Sequence, residues 1–298
     1  MDRIKFNVTL ETDQKLIDQM KQAYLNCPKA VKYCQSLNIK DDDIDANIAK
    51  VFAFVSDLNY CSHCPGIKNC QKNNPTLCTK IIYRNGVLDD ELVPCKELLK
   101  LRVLERQFIE KDFPDEWLNN NLKTIDKTNK RGEVIIKYSE YLKNNKVSGI
   151  FINGLKNTGR SFLAATICVD LAKKEKGPIC FLDAKKHIRE LNDLAFSKEK
   201  EEFNAKLRLY SNVPILVLDD FGNEYITDYV RDTIINPIIS ERANKKLMTI
   251  FTSDFTIREI ETLYAGSSKA GAIKAKQFAN TLRSMCGNEI NLGEIAIY

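Results

Sequence analysis

From Gly149 onward the chain repeats one alternation. Four short apolar runs, "GIFIN" (149–153), "PICFLDA" (178–184), "VPILVLDD" (213–220) and "LMTIFTSD" (247–254), are separated by helical patterns. Those patterns are "SFLAATICVDLAKK", "KKHIRELNDLAF" and "DYVRDTIINPIISERANK". A run that is apolar at every position suits a strand buried on both faces, and strand–helix–strand order requires a parallel crossover. This half is therefore expected to be α/β, a parallel sheet covered by helices. The C-terminal "NEINL" and "EIAIY" are expected to add a last strand or short hairpin.

The first hundred residues have another texture. Leu16, Met20 and Tyr24 recur every four residues with Ile17 beside them, so residues 11–57 read as helices, interrupted at "CPKA" (27–30). The acidic run "DDDID" (41–45) suits a helix N-terminus, where the macrodipole favours negative charge. "ELLKLRVLERQFIEKDF" also reads as helical and leads into Pro114. The expected division is a smaller, mainly helical unit over 1–104 and an α/β unit over 105–298. The N-terminus shows no apolar signal segment and no run of about 18 apolar residues occurs, so a cytoplasmic protein without a membrane partner is expected. A net charge of +5, with basic residues scattered among acids, permits a nucleic-acid partner without demanding one.

"GLKNTGRS" (154–161) departs from the phosphate-loop pattern G-x-x-x-x-G-K-[ST] at one position, Arg160. Its context is the one that chemistry needs: a strand before it, a helix after it, and glycines that let backbone N–H groups curl around phosphates. Gly154, Asn157, Thr158, Gly159, Arg160, Ser161 and Phe162 are the expected nucleotide contacts, with Ser161 toward Mg²⁺. "ILVLDD" supplies the complementary element. Its strand carries Asp219 to the edge of the sheet to hold the Mg²⁺ hydration shell, and Asp220 follows to orient or deprotonate a water.

These residues resemble the bacterial replicative helicase loaders of the DnaI and DnaC kind, which are AAA+ ATPases. "VPILVLDDFGNE" is similar to their "DDIGAE"-type Walker B element, and "LMTIFTSDF" to their sensor-1 strand. "DFPDEWLNNNLKTID" resembles the segment that begins their ATPase domain, and the likeness runs over most of 105–290. The resemblance implies a C-terminal AAA+ domain using ATP and Mg²⁺, a ring-shaped replicative DNA helicase as partner, single-stranded DNA as a second partner, and self-association. Three positions depart from the family. Arg160 stands where it has lysine, Asp254 where its sensor has asparagine, and Thr281 at the first of two paired arginines, Arg283 matching the second. A carboxylate cannot donate to a terminal phosphate as an amide can. Losing an arginine that stabilises transition-state charge slows hydrolysis. Asp220, Asp254 and Arg283 are the expected catalytic positions, with turnover weak at most. A nucleotide-binding adaptor without hydrolysis is the alternative; a transposition ATPase helper is a further one, disfavoured by the cysteines described next.

Five of the ten cysteines, Cys61, Cys64, Cys70, Cys78 and Cys95, lie close together in the chain. In a chain without an export signal such clustering points to a metal rather than to disulfides. Cys61 and Cys64 form a C-x2-C knuckle suited to zinc, and on spacing alone Cys70, Cys78 and Cys95 compete to complete it. The resemblance to DnaI-type loaders, which carry zinc in the N-terminal helicase-binding domain, implies Cys61, Cys64, Cys78 and Cys95. It also fits DnaI better than DnaC. His63, between the paired cysteines, reads as a surface residue. The dispersed Cys27, Cys34, Cys168, Cys180 and Cys286 read as buried apolar side chains. Lys185, Lys186, His187 and Arg189 group on one helix; in a loader they would face DNA phosphates, whereas charge pattern alone favours a solvated face. Tyr210 and Phe221 read as core and Trp117 as an anchor at the start of the second unit.

Overall fold

The structure is a computed structural model and describes residues 10–126, 129–144 and 148–293. It divides into two units, Met1–Arg102 and Val103–Tyr298.

In the first unit α1 (Leu10–Leu25), α2 (Pro28–Ser36), α3 (Asp41–Ala46) and α4 (Ile48–Ser62) precede the hairpin β1 (Leu77–Arg84) and β2 (Val87–Pro94), and α5 (Lys96–Glu105) follows. Pro28 opens α2, where its missing N–H costs nothing, and Asp41, Asp42 and Asp43 form the first turn of α3. Asn85 and Gly86 both take positive φ, which is what a two-residue hairpin turn requires. The hairpin registers Cys78 against Val93. Ile81 and Leu88 join Ala30, Cys34, Val51 and Phe54 in one apolar core.

The second unit holds β3 (Phe108–Lys111), α6 (Asn129–Asn144), β4 (Gly149–Asn153), α7 (Arg160–Lys173), β5 (Ile179–Asp183), α8 (Ala184–Phe196) and α9 (Lys200–Asn212). β6 (Ile215–Asp219), α10 (Asn236–Lys245), β7 (Met248–Ser253), α11 (Ile257–Tyr264), α12 (Lys269–Cys286) and β8 (Ile290–Asn291) complete it. The six strands run parallel in the order β3-β5-β6-β7-β4-β8. Cys180, Leu182, Leu216, Leu218 and Phe251 pack into one cluster with side chains of α8 to α12. The residues between them, Phe181, Val217 and Ile250, are buried as well, so helices cover both faces, as the continuous apolar runs imply.

Two local expectations differ. The helical reading of 97–113 ends at Glu105, and residues 108–111 instead pair with β5 as an edge strand, so tertiary pairing overrides the local pattern. The helix expected after β6 begins as a wide π-type turn, Val230–Ile235, because Pro237 has no N–H to donate into that segment. The C-terminal reading is met by β8, while "EIAIY" lies outside the described residues. The dispersed cysteines are all buried, as are Tyr210 and Phe221. Arg242, fully buried, donates to Thr249 Oγ1 and to the carbonyls of Tyr210, Val213 and Met248, tying the ends of α9 and α10 to the starts of β6 and β7. Among the described residues no helix is long and apolar enough to cross a membrane.

Candidate nucleotide site

β4 carries the chain, buried at every residue, to the loop at 154–159. Gly154 (φ 147°), Asn157 (φ 63°) and Gly159 (φ 84°) curl the backbone into a concave turn that ends on the first residue of α7. A Cβ on Gly154 would lie 3.1 Å from the Gly293 carbonyl oxygen and 3.3 Å from Thr158 Oγ1, so the turn is closed from behind by the segment after β8. Thr158 donates to the Leu155 carbonyl, and Arg131 on α6 holds the Thr158 carbonyl at 3.1 Å. Phe162, in the first turn of α7, meets Trp117 edge-on at 5.4 Å, and Asn120 donates to Thr166 one turn further on. The expected anchor at the start of the unit thus braces the helix that the loop leads into.

Strand order decides what faces the loop. β7 lies between β4 and β6, with Asn153 beside Ser253 and Leu218 beside Phe251. Asp254, directly after β7, therefore stands between the loop and the Asp219–Asp220 pair. Arg160 is 4% exposed despite its charge. Its Nη1 donates to the Gly154 carbonyl at 2.7 Å, and its Nη2 contacts Asp254 Oδ1 at 2.6 Å and Asp220 Oδ1 at 3.4 Å. Asn223 donates to the other Asp254 oxygen at 3.0 Å. Burial opposes charge on Asp254, but Asn223 and Arg160 together hold its carboxyl below the usual range. Arginine at the lysine position and aspartate at the asparagine position are thus one ion pair.

Asp219 is placed differently. Thr252 donates to it, Ser161 bonds to it, and burial pushes its pKa up to about 6. The Thr252 hydroxyl also accepts the Asp220 N–H at 2.9 Å. Burial raises Asp220 as well, against the pull of Arg160. The turn after them is tightly fixed. A Cβ on Gly222 (φ 98°) would fall 2.4 Å from Ile260 Cδ1, and Glu224 accepts from the Gly222 N–H at 2.8 Å and from the Tyr264 hydroxyl.

The remaining expected residues are not gathered here. Arg283 pairs with Glu261 at 2.9 Å and Asn280 at 3.0 Å, and Thr281 bonds its own helix at Gln277, so neither is seen in contact with the carboxylate cluster. On α8, Lys186 pairs with Asp112 at 2.6 Å, and buried His187 bridges Asp112 (2.6 Å) and Tyr210 (2.9 Å). The basic group at 185–189 is thereby reduced to Lys185 and Arg189 on the outer face, because two of its members serve the fold. Of the cysteines, Cys61 and Cys78 approach to 3.7 Å, with Lys72 donating to Cys78 Sγ at 3.5 Å. Cys95 is buried and accepts the Leu98 N–H, Cys64 is exposed, and His63 lies at the surface. Among the described residues no three His, Cys, Asp or Glu side chains are gathered to hold a metal. Of the four-thiolate set that the resemblance implies, one pair, Cys61 and Cys78, is close. Burial, with Cys78 alongside, raises the Cys61 thiol to about 11. Thr252, Asn223, Lys156 and Arg131 escaped the sequence reading; Thr252 and Asn223 lie inside quoted motifs, whereas Arg131 gave no signal.

No family model matches the chain. It is 23% identical over 270 residues to the replicative helicase loader DnaI of Bacillus subtilis strain 168, covering 86% of this chain and 84% of that one. The crystal structure of a DnaI superposes with a TM-score of 0.55 at 25% identity, over 63% of this chain and 98% of the other. The likeness to DnaI-type proteins therefore holds in both sequence and fold. A putative primosome component from Streptococcus pyogenes shares the fold at 22% identity and a TM-score of 0.51, over 66% of this chain and 98% of that one.

Asp219 yields a pH prediction. A carboxyl raised from its ordinary 3.8 to about 6 binds its proton more tightly in the fold than in the unfolded chain, so its burial penalty is relieved as pH falls through 6. Between pH 6.5 and 4.5 the unfolding free energy of the wild type should shift in its favour by about 2 kcal/mol relative to Asp219→Asn. Urea titrations at both pH values measure this, and a constant difference contradicts it.

Proposed function

We propose that this chain binds a replicative DNA helicase and loads it onto single-stranded DNA under the control of a bound nucleotide that it turns over slowly or not at all. The observation that carries the nucleotide part is the concave glycine turn at 154–159 opening α7, opposite the half-buried Asp219 carboxylate bonded to Ser161. The helicase part is supported by the likeness to B. subtilis DnaI over 86% of the chain. In this reading the curled backbone and the N-terminus of α7 hold phosphates, while Ser161 and Asp219 hold Mg²⁺. A metal held there would offset phosphate charge. Asp220 faces the guanidinium of Arg160 rather than standing free as a base, and Arg283 is engaged by Glu261. Both features argue for slow hydrolysis, and they favour the adaptor form of the same function, in which nucleotide is bound and not consumed.

We also infer a structural zinc in the first unit. Thiolates on a tetrahedral zinc with Zn–S of about 2.3 Å stand about 3.8 Å apart, close to the 3.7 Å between Cys61 and Cys78. Cys64 follows Cys61 at the end of α4, and the Cys95 N–H bonds to the Thr76 carbonyl beside Cys78 at the open end of the hairpin. Metal binding would strip the protons that the apo thiols retain.

Tagged full-length chain should retain its cognate replicative helicase on affinity resin with MgATP or MgADP present; no retention in any nucleotide condition contradicts the loader reading. Purified protein should contain about one zinc per chain by mass spectrometry of the metal, lowered by Cys61→Ser or Cys78→Ser with loss of helix signal in the first unit. Metal-free protein of unchanged melting behaviour removes the zinc reading.

A further inference from the structure

We propose that the phosphate loop takes a nucleoside diphosphate in preference to a triphosphate, and that Asp254 is the residue that excludes the third phosphate. The inference rests on reading residues 154–161 as a nucleotide loop and names which nucleotide it holds.

In a phosphate loop the side chain before the Ser or Thr is the one that reaches the terminal phosphates, whereas the curled backbone holds the inner ones. Here that side chain is already engaged. One arm of the Arg160 guanidinium is anchored to the Gly154 carbonyl, which fixes the direction of the fork. The other arm meets two carboxylates on a single nitrogen, Asp254 at 2.6 Å and Asp220 at 3.4 Å. The carboxylate of Asp254 thus stands where the outermost phosphate would find its cation. It is not free to leave at no cost, because Asn223 holds its second oxygen at 3.0 Å. Nor does position allow it to lie aside, since β7 is inserted between the strand that feeds the loop and the strand that ends in Asp219.

Charge balance points the same way. The carboxylates of Asp219, Asp220 and Asp254 face the cations Arg160 and Lys156, the latter near enough to act on both Asp220 and Asp254. A third phosphate adds negative charge at the side of the site that already carries the excess, and must either break the Arg160–Asp254 pair or sit against it. A diphosphate does neither. It uses the turn at Gly154–Gly159 and the Ser161–Asp219 pair, neither of which contacts Asp254, and leaves the ion pair closed over its outer end.

Calorimetric titration of the full chain with MgADP and with the magnesium complex of β,γ-methylene-ATP, which cannot be cleaved to the diphosphate, tests this directly. The wild type should bind MgADP at least about tenfold more tightly than the triphosphate analogue, the scale of one lost or unfavourable charge contact. Asp254→Asn, which keeps size and removes charge, should narrow that ratio by strengthening the triphosphate while leaving MgADP nearly unchanged. Equal or tighter binding of the analogue by the wild type overturns the proposal, as does an Asp254→Asn variant that shifts both ligands alike. The wild-type ratio decides even if the variant does not fold. Binding of neither ligand to folded wild-type protein removes the nucleotide reading itself, an outcome distinct from the loss of discrimination.

Discussion

Parallel pairing of β7 between β4 and β6 is the constraint on which the site depends. All strands of the sheet end at one edge, so this order alone sets the loop, Asp254 and the Asp219–Asp220 pair side by side. Once they are side by side, side-chain chemistry at 160 and 254 cannot vary independently. A guanidinium 4% exposed requires partners for its N–H groups, which the Gly154 carbonyl and Asp254 supply, and a carboxylate between a loop and two further acids requires a cation. Arg160 and Asp254 meet both requirements at once. Removing the charge from one partner alone would leave the other without its counterion, which is more costly than the pair's own desolvation.

The same pair separates two duties that a phosphate site usually combines. Holding inner phosphates needs only curled backbone and a helix N-terminus, and these are intact from Gly154 to Ser161. Cleaving the outer phosphate needs a cation and a donor turned toward it, and here the cation is turned toward Asp254 and Asp220. Asp219, whose pKa burial raises to about 6, belongs to the first duty through Ser161. Under the proposed function, this arrangement suits a nucleotide that is held rather than cleaved.

Much of this was legible in the sequence. Four apolar runs became β4, β5, β6 and β7 because strands buried on both faces leave a continuous apolar signature. The loop and Asp219 were legible because phosphate chemistry fixes residue types at short spacing. Arg160, Asp254 and Thr281 were legible as departures, but not the ion pair that links the first two, since nothing in a linear pattern says that positions 160 and 254 touch. The edge strand at 108–111 was hidden in a helical pattern, its identity set by β5 and not by its own residues. His187 read as part of a basic helix surface, whereas its ring lies buried between Asp112 and Tyr210. The thiolate set is the largest difference, one close pair among the described residues where the resemblance implied four ligands.

The central claim is that Arg160 and Asp254 act as one unit, and a double-mutant cycle in unfolding free energy tests it most directly. Arg160→Met and Asp254→Asn are compared singly and together by denaturant titration. The account predicts that the double variant is more stable than the sum of the single losses implies, by at least about 1 kcal/mol, because each single change strands a buried or half-buried charge that the double change removes. Additivity within about 0.5 kcal/mol would contradict it, leaving the two departures as unrelated substitutions.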